Sequence, residues 1–136
     1  MNAENMKDLA KVRYERAVEL LAEAEEMLND EHYKSANNRA FYSAEKAIKA
    51  ALAAKGKDAE SHNGVIKTFN MEFIHVPSEY FDRGDMSAFQ GMERIRTASD
   101  YDDFYVTSKD ECSEQVKRAR NLLEKVRKYL SSEEVL

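Results

Sequence analysis

Apolar residues recur along the chain at steps of three to five, and the recurrences fall into blocks of helix length. From Asn5 to Asn29, Leu9, Val12, Ala17, Leu20, Ala24 and Met27 or Leu28 trace one stripe, the spacing of a helix buried along one face. Asn29-Asp30 interrupts it, and Asp30 is placed to cap the next helix. The second block, Glu31 to Lys55, carries two stripes. At about 100° per residue, Phe41, Ala44, Ile48 and Leu52 share one arc, and Ala36, Ala40, Ala47, Ala51 and Ala54 share its neighbour. Small side chains let backbones approach closely, so a bulky stripe beside an alanine stripe predicts a central helix packed on two sides. Gly56 follows as a C′ residue should, with Lys55 in the last turn.

A third helix is predicted over Ser61–Ile74, with Val65, Ile66, Phe69 and Phe73 inward, and Pro77 stops it from running on. Residues 76–85 read as a loop holding Tyr80 and Phe81, with Gly84 as its turn residue. A fourth helix, Met86 to Ser99, presents Phe89, Met92 and Ile95 and leads into the acidic, aromatic connector 100–105. Ser108 and Glu111 form a capping-box pattern that opens a fifth helix. Its stripe is Cys112, Val116, Ala119, Leu123, Val126 and Leu130, and its acidic start and basic end complement the helix dipole. The last six residues are expected to fray. The pattern predicts an all-α protein, an up-and-down helical bundle of about five helices forming a single domain over 1–136 with its core at about 5–130.

Composition narrows this further. Four glycines and one proline in 136 residues are too few for the turns of a β-sandwich. No apolar run reaches the roughly 20 residues of a membrane span, and no signal-peptide core opens the chain, so a cytoplasmic location is expected. The single cysteine, Cys112, lies on an apolar stripe with Asp110, Glu111 and Glu114 beside it, which suits a small buried hydrophobe and opposes a reactive thiol. A net charge of −5 counts against general binding to nucleic acid, while leaving room for a local basic cleft.

Candidate chemistry centres on Arg96. It stands four residues after Met92 and seven after Phe89, on their apolar face. A guanidinium is not left buried and unpaired, so Arg96 meets a carboxylate, lines a cleft or faces another subunit. The Asp100, Asp102 and Asp103 cluster is the nearest source of a carboxylate, and reads as an arginine partner before it reads as a cation site. Arg39, Tyr42, Lys46 and Lys49 share a face of the second helix, where basic charge beside an aromatic could hold phosphates or stack a base, or simply face solvent. His62, at the start of the third helix, can bind backbone or a ligand anion, and a local capping role is the reading preferred. No His-x3-His or Cys-x2-Cys spacing occurs, so neither a metal nor a cofactor is expected.

The succession Asn38-Arg39-Ala40-Phe41-Tyr42, Ser61-His62-Asn63-Gly64-Val65, Phe69 with Phe73, Arg94-Ile95-Arg96 and residues 100–105 resembles the HEPN-domain family, and most nearly its small stand-alone prokaryotic branch. The resemblance covers about Leu9 to Leu130. It implies four long helices plus a short one, a homodimer, and pairing with a minimal nucleotidyltransferase in a toxin–antitoxin or two-part transferase system. Active members are metal-independent ribonucleases whose signature is Arg, four to six residues, then His; the His exchanges protons while the Arg stabilises the phosphorane. Here Arg96 takes the place of the Arg, but Tyr101 stands where His belongs, and no arginine of the chain has a His at that spacing. Tyrosine, with an ordinary pKa of about 10, is a poor base near neutrality. The resemblance thus implies a cleft marked by Arg96, Asp100 and Tyr101, all three candidates for nucleotide or RNA binding and Arg96 and Tyr101 the candidates for catalysis; Arg39 and Tyr42, from the basic face of the second helix, are further binding candidates. Three readings stay open: a dimeric subunit paired with a nucleotidyltransferase, a toxin ribonuclease with an atypical motif, and a non-catalytic interaction module.

Overall fold

Three of the helices end in the same hydrogen-bonded reversal. In the computed structural model, which describes residues 2–136, α1 (Ala3–Asn29), α2 (Tyr33–Ala54) and α5 (Lys109–Ser132) each close with a left-handed residue, at Glu31, Gly56 and Glu134. The next amide in each case donates back to the helix: His32 to Met27, Lys57 to Leu52 and Val135 to Leu130. This is the Schellman arrangement, which satisfies carbonyls that have no partner within the helix. Gly56 therefore stands where the sequence puts it. The expected fraying of the last six residues is not seen, because the Glu134 reversal seats Val135 against the core.

Helix starts are fixed by side-chain caps. Asn2 caps α1, Ser61 caps α3 (His62–Phe69) and Ser108 caps α5. The α5 cap is half of the expected box: Ser108 accepts from the Glu111 amide, while the Glu111 carboxylate takes the hydroxyl of Tyr105 instead. Asp82 and Asp85 form a reciprocal box at α4 (Arg83–Tyr101), so this helix begins earlier than expected and Gly84 lies in its first turn. Asp30 does not cap α2. The reversal at Glu31 puts His32 at that position, with no side-chain cap bond.

The third helical block also differs from expectation. After Phe69 the backbone widens into a π-helical turn over Asn70–His75, still holding Phe69 and Phe73 inward as a ring pair 5.7 Å apart. Its direction is set by two contacts of equal sequence offset, Glu45 with His62 and Lys55 with Glu72. The chain thus doubles back after Gly56, and α3 with its π turn runs parallel to α2. The four long helices α1, α2, α4 and α5 alternate in direction, and the short one lies against α2 and α4.

The core is as the stripes imply for α2 and α5: Phe41, Ile48 and Leu52 meet Val116, Leu122, Val126 and Leu130, all buried. In α1 the buried line is Met6, Ala10, Ala17, Leu20 and Ala24, whereas Val12 is 62% exposed. Ala10, Ala17 and Ala24 recur at seven-residue steps, and the Ser43 hydroxyl donates to the Ala17 carbonyl at 2.7 Å, so α1 and α2 approach closely through small residues. No helix is long and apolar enough to cross a membrane among the described residues.

Candidate functional site

The rings of Phe41 on α2 and Phe89 on α4 stack with centroids 5.8 Å apart, and the imidazole of His62 packs on the edge of both. On this floor α4 projects Arg96, whose guanidinium carbon lies 5.1 Å from the Phe41 centroid and 5.6 Å from that of Tyr42. A cation over aromatic faces is attracted by their quadrupoles. The apolar stripe of α4 therefore ends in a cation on the rim of the aromatic core, which accounts for an arginine in phase with Phe89 and Met92.

Carboxylates complete the cluster. Arg96 donates through Nη2 to both oxygens of Glu93 (3.1 and 3.2 Å) and through Nη1 to Asp100 at 3.5 Å. Its side chain is only 14% exposed. Burial works against its charge, but the hydrogen bonds and charge of Glu93, followed by Tyr42 and Asp100, hold the guanidinium above its ordinary value. His62 Nδ1 lies 2.7 Å from Glu45, and its Nε2 lies 3.7 Å from Glu93. Glu93 thereby joins the arginine to the histidine.

Two polar atoms of this network are enclosed without a hydrogen-bond partner among the described residues, Arg96 Nε and His62 Nε2. Buried donors and acceptors are normally satisfied, so such gaps mark an incomplete network. The same patch opens on one side into a cleft of about 510 Å³ between α1 and α2, lined by Arg16, Arg39, Lys46, Tyr42 and Glu45. Tyr42 and Glu45 belong to both the cluster and the cleft. Burial lowers the pKa of Lys46, and the neighbouring charges of Lys49, Arg13 and Arg16 lower it further. Three cations thus line the cleft beside Glu45, with Arg16 paired to Glu19 and Arg39 to Glu23, and Lys46 without an ion pair among the described residues.

Of the residues singled out in sequence, the structure brings together Arg96, Asp100 and Tyr42, and places Arg39 in the adjoining cleft, 3.5 Å from Glu23. It does not bring Tyr101 into the cluster: that side chain is 76% exposed at the end of α4. His62 is not the cap of α3, since the Ser61 hydroxyl accepts the Gly64 amide. Glu45, Glu93 and Phe41 are further members that sequence reasoning missed. The i, i+3 spacing of Glu93 and Arg96 was the legible signal for one of them. No group of three or more His, Cys, Asp or Glu among the described residues is arranged to hold a metal ion.

Comparison with known proteins bears on the same region. The HEPN domain family matches residues 10–129. A Methanocaldococcus jannaschii protein bearing the name "Putative toxin" is 30% identical to this chain, over 94% of this chain and 91% of that protein. A Thermotoga maritima protein named as a UPF0332 protein is 28% identical, over 85% and 86% respectively. The crystal structure of TT1696 from Thermus thermophilus superposes with a TM-score of 0.74 at 20% identity, covering 88% of this chain and 97% of that one, a likeness of fold.

Proposed function

The chain belongs to the HEPN domain family, and on that premise we propose that it is the HEPN-type subunit of a two-protein system of toxin–antitoxin or two-part transferase kind. Its ligand, RNA or a nucleotide, enters through the Arg39/Tyr42 cleft and ends at Arg96. The observation that carries this reading is the unfinished polar network around Arg96, continuous through Tyr42 with a basic cleft. A phosphate oxygen can take the enclosed Nε donor once the Arg96 side chain swings off Glu93, and a base can stack on Tyr42, which is 39% exposed. The name of the M. jannaschii relative supports the toxin side of the proposal. Dimerisation is supported by the connector after Asp100, where Phe104 and Val106 are 95% and 86% exposed beside Tyr101. Covering side chains of this kind contributes about 1.5–3 kcal/mol each. The nucleotidyltransferase partner rests on the family alone.

Two measurements test the proposal. Fluorescence anisotropy with a labelled single-stranded RNA, and with a labelled nucleotide, should show binding that weakens in Arg39→Gln, Tyr42→Ala and Arg96→Ala. Copurification of the untagged product of a neighbouring gene with the tagged chain, followed by native mass measurement, should give a complex containing two copies of this chain. Absence of both binding and complex would leave an interaction module without a small ligand.

A second reading is favoured by one specific feature. Glu45 holds the His62 imidazole through Nδ1 and leaves Nε2 unpaired near the Arg96 cluster, a carboxylate-oriented histidine where the linear motif lacks one. A metal-independent ribonuclease needs such a group. Nε2 is sealed behind Glu93, so cleavage would require Glu93 and Arg96 to swing towards a bound phosphate. RNA cleavage in EDTA, abolished by His62→Ala as well as by Arg96→Ala, would establish this reading in place of a binding-only subunit.

A further inference from the structure

We propose that the groove between α4 and the α3/π-turn segment is a second ligand site, separate from the Arg96 cluster, and that it takes a small organic phosphate of nucleoside-monophosphate size. The groove is open to solvent on one side, offers about 540 Å³ and shares no lining residue with the cluster or the α1–α2 cleft. That volume lies within the roughly 300–1,000 Å³ usual for small-molecule sites.

Its chemistry is one-sided. Lys67, His75 and Arg83 line it, and no Asp or Glu does. Neither Lys67 nor Arg83 makes an ion pair or side-chain hydrogen bond among the described residues; this is ordinary for a lysine of this chain, but it sets Arg83 apart from Arg13, Arg16, Arg39, Arg96 and Arg120, which all meet carboxylates. Two cations left free around one concavity, in a chain of net charge −5, make a local anion trap. Arginine supplies a fork of donors to phosphate oxygens and lysine a point charge.

The floor argues for more than inorganic phosphate. Ile66, Ile74 and Met86 are partly or fully buried there, and the amides of Asn70 and Gln90, with no side-chain partner among the described residues, face the same space. An apolar floor with a few convergent amides fits a flat or compact organic group attached to the phosphate. The π turn supplies Asn70, Ile74 and His75 to this wall, and π-helical turns concentrate at functional sites. One residue of this turn, Phe73, points the other way into the core, which fixes the groove wall in place.

Isothermal titration calorimetry of the full chain tests the site with adenosine 5′-monophosphate, ribose 5-phosphate, inorganic phosphate and a 5′-phosphorylated trinucleotide. Adenosine 5′-monophosphate should bind more tightly than inorganic phosphate. Lys67→Gln and Arg83→Gln, both at exposed positions, should each weaken it by about three- to tenfold. Arg39→Gln, which disables only the α1–α2 cleft, should leave the Lys67- and Arg83-dependent part of this binding unchanged. Three results would overturn the proposal: no heat from any probe, undiminished binding in the Lys67→Gln/Arg83→Gln double variant, or loss of the Lys67- and Arg83-dependent binding in Arg39→Gln. Equal affinity for inorganic phosphate would remove the organic part of the assignment, and preference for the trinucleotide would move the ligand to an RNA end. Because Arg39→Gln reports on the α1–α2 cleft alone, failure here is distinguishable from failure of the proposed RNA-binding function.

Discussion

The guanidinium of Arg96 rests on the ring of Phe41, 5.1 Å from its centroid, while both oxygens of Glu93 hold it from the side. A charge is thus fixed at the edge of an aromatic core without being unpaired. Removing it leaves Glu93 and Asp100 partly buried without their cation. Arg96→Ala is expected to keep its helical circular dichroism and to lose about 1–3 kcal/mol of stability in urea denaturation. Restoration by Arg96→Met, which refills the space over Phe41 without the charge, would show that packing and not pairing holds this corner.

The close seam between α1 and α2 makes a sharper prediction. Ala47 is fully buried and lies one turn beyond Ser43, whose hydroxyl reaches the Ala17 carbonyl. Nothing larger than alanine fits such an approach without moving backbone. Ala47→Leu should cost about 1–3 kcal/mol by overpacking, read as a lower urea midpoint with an unchanged slope. Unchanged stability would mean that the row of small residues does not abut a neighbouring helix.

Glu31 takes a left-handed conformation, φ 66°, at the reversal between α1 and α2. A side chain with a Cβ is disfavoured there, and glycine is not. Glu31→Gly should therefore stabilise the protein by about 0.5–1 kcal/mol, measured as a higher urea midpoint. The same change at Glu15, inside α1, is the control and should destabilise.

Cys112 is fully buried with its thiol directed at the Tyr33 carbonyl, and burial, followed by the charge of Glu111, pushes the thiol from 9.0 up to about 11. The folded chain therefore holds this proton more tightly than the unfolded chain. Its contribution to stability is complete below pH 9 and falls away as pH rises towards about 11. Two measurements check this. A thiol reagent at about pH 8 should label the native protein slowly and the denatured protein at once. The alkaline fall in urea midpoint should be smaller in Cys112→Ala than in the parent chain.

Much of this architecture was written in the linear pattern. The stripes of α2 and α5 alternate bulky and small residues at helical steps, and burial follows them from Phe41 to Leu52 and from Cys112 to Leu130. Gly56 marks its reversal because only glycine enters the left-handed region freely. Val12 misled because one valine in phase with a leucine says little when the true contact line is made of alanines. The reversals at Glu31 and Glu134 carried no glycine to announce them, and so shifted the expected cap of α2 and hid the closure of α5.

The sequence by itself determined that the chain is all helical, which faces of α2 and α5 are inward, and that Arg96 must find a partner, since periodicity and the cost of an unpaired guanidinium are local properties. Only the tertiary structure decided which partner. Glu45 and His62 are 17 residues apart and meet because α3 turns back to run beside α2. Lys67 and Arg83 likewise share one groove only through the packing of a π turn on α4. Such meetings depend on helix direction and crossing, and no helical period encodes those.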